Sequence, residues 1–156
     1  METRRKIEPI ILIAEDDDDE YELTSAALGE LRTANRLRRV VDGEELLSYL
    51  RREGEYANET LYPAPDFILL DLNMPGKDGR EALRELKSHP SLKRIPLAVL
   101  SVSNAEDDVR RCYDLGANCY LAKPPGFDAL RKALAALQSY WFETAEIPSP
   151  GSIKKN

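Results

Sequence analysis

Carboxylates close two apolar runs of this chain, and an amine closes a third. Glu15 and Asp16 follow "IILIA", Asp71 follows "DFILL" and Lys123 follows "CYLA". If these runs are parallel strands of one sheet, their carboxyl ends share an edge, and the acids and the amine converge there. Carboxylates that close repel one another, and a hard cation relieves the repulsion. Magnesium takes oxygen ligands, keeps several waters and uses one or two carboxylates beside phosphate oxygens, which makes Glu15, Asp16 and Asp71 candidate ligands. A carboxylate so placed can accept a phosphoryl group as an acyl phosphate, with the metal and a compact ammonium balancing the equatorial charge. Asp71 is the candidate nucleophile and Lys123 the balancing charge. Each feature also has a plainer reading. The six consecutive acids Glu15 to Glu20 suit a first helical turn, and Asp71 suits a turn after a strand. Glu15 and Asp16, however, precede the helix, where the benefit from its dipole is small and their repulsion large.

The elements that must position these groups alternate along the chain. Ile10 to Ala14 is a continuous apolar run, a strand buried on both faces, and Asp17 to Leu31 carries Leu23, Ala27 and Leu31 at helical spacing. Leu37 to Val41 is a second strand. Asp42 is the N-cap of a helix through Leu46, Leu47 and Leu50 that Gly54 closes, and Glu55 to Pro65 is an aperiodic loop. Phe67 to Leu70 forms the third strand, before the turn-rich "NMPGKDG" and a helix with Leu83 and Leu86. Pro96 to Leu100 is the fourth, followed by a helix from Ala105 to Leu115 that Gly116 stops. Cys119 to Ala122 is the fifth, followed by a helix from Phe127 to Trp141. Strand and helix in alternation imply an α/β fold: a five-stranded parallel sheet with helices on both faces.

Composition agrees. With 156 residues, 42% of them hydrophobic and 32% charged, the chain can build one self-sufficient core. A net charge of -6 argues against a nucleic-acid surface, and Arg32, Arg36, Arg38 and Arg39 are flanked by acids and read as solvated surface. Cys112 and Cys119 lack CxxC spacing and the single His89 lies in a polar "SHPS" stretch, so a zinc site is not expected and a reducing cytoplasm is. No apolar run approaches the roughly 18 residues of a membrane span, and "METRRKIEP" has no apolar signal core.

Together "ILIAEDD", "FILLDLNMPGKDG", "LAVLSVS" and "CYLAKPP" resemble the receiver domain of two-component response regulators, in order and approximate spacing from about Ile10 to Tyr140. The resemblance implies a flavodoxin-like (βα)5 fold with strand order 2-1-3-4-5. It implies a magnesium site of Glu15, Asp16, Asp71 and the backbone carbonyl of Asn73, with Asp71 as phosphoacceptor and Lys123 as the family's amine. Ser101 matches the hydroxyl that bonds the phosphoryl group, Tyr120 the switch aromatic, and Lys123-Pro124 the family's cis peptide. Glu15 stands where Asp is frequent and Ser101 where Thr is. Val102 stands where a smaller residue is frequent, and a β-branched side chain there is expected to crowd the phosphoryl group.

The chain is expected to divide into a tail (1–8), the receiver (9–140) and a C-terminal extension (141–156) too short for an output domain. The ending "SYWFETAEIP", with "DGEELLSYLRREGEYA" upstream, resembles single-domain regulators that accompany phytochrome-type histidine kinases. Trp141, Phe142 and Ile147 then make a dimerisation arm: the two aromatics are adjacent and are not expected to share one helical face, so a twofold partner would bury them. The function implied is phosphoryl acceptance from a histidine kinase, with no enzymatic reaction beyond the protein's own phosphorylation and dephosphorylation. The alternatives are a phosphatase resembling the haloacid dehalogenase group, whose second Asp is replaced here by Asn73, and a phosphorylation-independent binding module.

Overall fold

In the central strands, successive residues go to opposite faces of the sheet, and both faces are apolar. The computed structural model describes residues 9–29, 36–74 and 78–148. Strand β1 (Ile10–Ala14) sends Ile11 and Ile13 to one core and Leu12 and Ala14 to the other. β3 (Phe67–Leu70) divides the same way, Phe67 and Leu69 against Ile68 and Leu70, as does β4 (Leu97–Ser101), Ala98 and Leu100 against Leu97 and Val99. This explains why these segments read as unbroken apolar runs: a parallel sheet covered on both sides has no polar face. With β2 (Arg36–Val40) and β5 (Cys119–Ala122) the strands form a parallel five-stranded sheet in the order β2-β1-β3-β4-β5.

Helices α1 (Asp18–Gly29) and α5 (Phe127–Gln138) pack together on the face of Ile11 and Phe67. Helices α2 (Gly43–Arg51), α3 (Gly79–Ser88) and α4 (Glu106–Leu115) cover the other. Asp42 caps α2 as expected, its carboxylate accepting the Glu45 amide at 2.8 Å. Asp78 does the same for α3 through Glu81 at 3.0 Å. α4 stops at Gly116, whose φ of 112° is the left-handed conformation that glycine tolerates.

Several expectations are corrected. α1 buries Thr24, Ala27 and Leu28 and leaves Leu23 46% exposed, so its inner face is rotated from the one drawn through Leu23 and Ala27. Leu31 and Arg32 lie outside the described residues. α2 ends at Arg52, in the left-handed region at φ 61°, rather than at Gly54, because the Arg52 amide closes onto the Ser48 and Tyr49 carbonyls. The stretch after it has structure: Gly54–Ala57 is a 3-10 turn that buries Tyr56 against Tyr49 and Tyr62, with ring centroids 5.1 and 4.8 Å away.

The C-terminal arm folds onto its own sheet. After Gln138 the helix widens into a π-helical segment, Ser139–Thr144. Wider spacing lets neighbours do what an α-helix forbids: Trp141 and Phe142 both meet Phe67, at centroid distances of 5.5 and 5.8 Å. Phe142 is buried, and Trp141 and Ile147 pack partly on the same core. The apolar surface that argued for a twofold partner is therefore largely used within the chain.

Candidate functional site

The acid run is built by helix capping. The Asp17 carboxylate accepts the Glu20 amide at 3.0 Å, which makes Asp17 the N-cap of α1 and lays Asp18, Asp19 and Glu20 in its first turn, where the dipole favours them. The Asp17 amide donates to Glu15 Oε2 at 3.2 Å, a bond that the third helical residue usually supplies to the cap. Glu15 and Asp16 stay outside the helix, at the end of β1. The Asp71 amide continues the sheet by donating to the Ala14 carbonyl at 3.0 Å, which sets its side chain beside theirs.

One carboxylate oxygen each of Glu15, Asp16 and Asp71 lies within 4.8 Å of the others. Glu15 is buried, Asp71 half-buried and Asp16 exposed. Burial, and then the neighbouring Asp71 charge, push the Glu15 carboxyl up to about 7 against the pull of Lys123. Burial also raises Asp71, while Lys123 and the Asn73 amide, which donates to Asp71 Oδ1 at 3.3 Å, oppose the rise. Such a set of hard oxygens in deficit of positive charge fits a divalent cation of the magnesium class.

Lys123 enters from β5. Its amide donates to the Ser101 carbonyl at 2.7 Å, and its side chain, 11% exposed, brings the ammonium 3.3 Å from Glu15 Oε1 and 3.0 Å from Glu20 Oε1. Burial pulls the lysine down, yet Glu20, Glu15 and Asp71 outweigh it and hold it above its ordinary value. The Lys123-Pro124 bond is trans, contrary to the cis expectation. Isomers of a bond before proline differ by only about 0.5–1 kcal/mol, so the dipeptide leaves the choice to its surroundings.

Ser101 is buried at the end of β4, its hydroxyl accepting the Ser103 amide at 3.3 Å, and the Tyr120 hydroxyl donates to the Ser103 carbonyl at 2.8 Å. Both expected switch residues therefore meet at Ser103, whose own hydroxyl donates to Asp108 at 2.6 Å. Val102 is 72% exposed, its side chain turned outward after β4.

Two participants were not singled out from sequence. By sequence Glu20 is one more helix-turn acid. Arg39 is not the solvated surface that its acidic flanks suggest: its guanidinium donates to the Glu15 carbonyl at 3.0 Å, pairs with Asp18 at 2.9 Å and lies over the Tyr21 ring at 4.6 Å. A signal existed in its alignment beside Ile13, one residue short of the site edge, but only with the β1–β2 register known.

Residues 11–135 match the model of the response regulator receiver domain. The chain belongs to the response regulator receiver family. Response regulator Rcp1 of Synechocystis is 41% identical over 140 residues, which cover 90% of this receiver and 93% of that protein. Rcp1 in its Mn(2+)-bound form aligns with a TM-score of 0.81, over 90% of this chain and 99% of that one. The phosphorylated cyanobacterial phytochrome response regulator RcpA aligns with a TM-score of 0.84 at 44% identity, over 91% and 99% of the two chains. RPA3017, a response regulator in red light signaling of R. palustris, aligns with a TM-score of 0.86 at 32% identity, over 90% and 99%. Among the described residues of this receiver, no helix is long and apolar enough to cross a membrane.

Proposed function

We propose that this receiver takes a phosphoryl group onto Asp71 from the phosphohistidine of a histidine kinase, one of the phytochrome type. The observation that carries the reading is the convergence of the Glu15, Asp16 and Asp71 carboxylates with the Lys123 ammonium at one sheet edge. Similarity to Rcp1 and RcpA supports the phytochrome class of donor.

Glu15, Asp16 and Asp71 would hold magnesium, with the Asn73 carbonyl as a further oxygen, and the ion supplies charge neutralisation at the phosphoryl oxygens. The chain's own groups do the rest. An Asp71 carboxylate oxygen attacks phosphorus in line; the new O–P bond forms as the N–P bond breaks. The electron pair stays on the departing imidazole, which takes up a proton. Lys123 then faces the dianionic group, Ser101 offers its hydroxyl, and release of Ser103 by Tyr120 passes the change to the β4–α4 loop.

Intact mass after incubation with acetyl phosphate and magnesium tests this. The parent should gain one phosphoryl group and Asp71→Asn none. Equal labelling of both, or turnover of an external phosphomonoester, would overturn the assignment. A homodimer through the arm is a second, separable proposal, supported by Tyr140, which remains 55% exposed beside Trp141. Light scattering on the parent and on Tyr140→Ser, which leaves Phe142 in the core, tests it: a variant that pairs as well as its parent removes the exposed arm surface from the contact.

A further inference from the structure

The Lys123 ammonium has three donors and sits 3.0 Å from Glu20 and 3.3 Å from Glu15. The nearer carboxylate is not one of the three that can share a cation. Glu20 is available for this contact because of the way α1 is capped. A glutamate at the third helical position normally turns back to the cap amide, but here Glu15 holds the Asp17 amide at 3.2 Å, and Glu20 crosses to a lysine 103 residues away. When Glu15 binds a cation, its charge is drawn there. Glu20 is then the carboxylate that still competes with a phosphoryl group for Lys123.

We infer that Glu20 is a positioning residue: it parks the Lys123 ammonium off Asp71, and phosphorylation moves the ammonium from the Glu20 carboxylate to the phosphoryl oxygens. This rests on the phosphoacceptor reading above. A ligand shifts such a balance only through the contact that differs between states, so the strength of the Glu20 hold sets how far phosphorylation drives the switch. Glu20→Gln keeps the shape and removes the charge, and the released lysine should favour a phosphoryl mimic.

The test is titration with beryllofluoride, a tetrahedral mimic of an acyl phosphate, at saturating magnesium, followed by 19F NMR. For a partly exposed ion pair, Glu20→Gln should tighten binding roughly two- to fivefold. Glu20→Asp, which retains the charge, should stay near the parent. The effect must also vanish in a Lys123→Ala background, compared by the rate of phosphoryl incorporation from acetyl phosphate where beryllofluoride binds too weakly. An unchanged affinity in Glu20→Gln overturns the inference. So does an equal gain with and without Lys123, which would mean direct repulsion between Glu20 and the phosphoryl group. Failure of the parent to bind beryllofluoride or take up phosphate would overturn the phosphoacceptor reading itself and the inference with it.

Discussion

Glu15 and Asp71 are acids lifted above their ordinary range by burial beside one another, with the Lys123 ammonium as partial compensation. A cation that binds the folded site and not the unfolded chain stabilises the fold by mass action, about 2.7 kcal/mol at a hundredfold excess over Kd, or roughly 5–10 °C in Tm for a domain of this size. Calorimetry with magnesium and then with a chelator should show that rise and its reversal. Asp16→Asn should lose most of it, and a variant with the parent's full shift would remove Asp16 from the donor set. Tyr120→Phe deletes the 2.8 Å bond to Ser103 without changing ring packing, and should cost about 1 kcal/mol in denaturant unfolding.

At the start of α3, Gly79 lies against the chain just after β3. A methyl at Gly79 would stand 2.6 Å from the Asp71 carbonyl oxygen and from Leu72 Cα. Backbone on both sides leaves little room to yield, so Gly79→Ala should cost about 1–3 kcal/mol and slow phosphoryl uptake by displacing Asp71. A variant of unchanged stability and uptake would refute this. At the opposite edge of the sheet, the Lys87 ammonium from α3 donates to the Lys93 and Ile95 carbonyls before β4 and to the Asn118 side chain before β5, at 2.9, 2.8 and 3.1 Å. Burial pulls this lysine down to about 8 from its ordinary 10.5. A lowered folded value means that the unfolded chain binds the proton more tightly between these limits. The penalty is therefore full below pH 8 and lifts as pH climbs toward 10.5. Urea midpoints of the parent relative to Lys87→Met should rise across that window, and parallel profiles would refute the assignment.

Across the whole molecule, the sheet divides the protein into a face of α1, α5 and the arm and a face of α2, α3 and α4. Phe142 belongs to the first face, 8% exposed and edge-on to Phe67. Phe142→Ala should therefore destabilise the monomer by about 3–5 kcal/mol, seen as a fall in Tm of roughly 10 °C or more. An arm whose aromatics served only a partner would leave the Tm of a dilute monomer untouched, and that result would reverse the packing described for Phe142.

What the sequence determined by itself was local chemistry and period. Runs such as Ile10 to Ala14 and Phe67 to Leu70 are apolar throughout because both faces of their sheet are covered, and Asp42 caps α2 because the bond spans only three residues. Glu15, Asp16, Asp71 and Lys123 were legible because a parallel sheet delivers every strand's carboxyl end to one edge, whatever the details of packing. Partner choice was not legible. Which of six consecutive acids meets Lys123, why Arg39 leaves solvent for Glu15 and Asp18, and how Tyr120 reaches Ser103 all depend on separations of many residues. The rotation of α1, the trans bond before Pro124 and the π-helical segment that folds Trp141 and Phe142 inward were decided only in three dimensions. At each, local preferences are nearly balanced, and the shape of the surrounding core selects one arrangement.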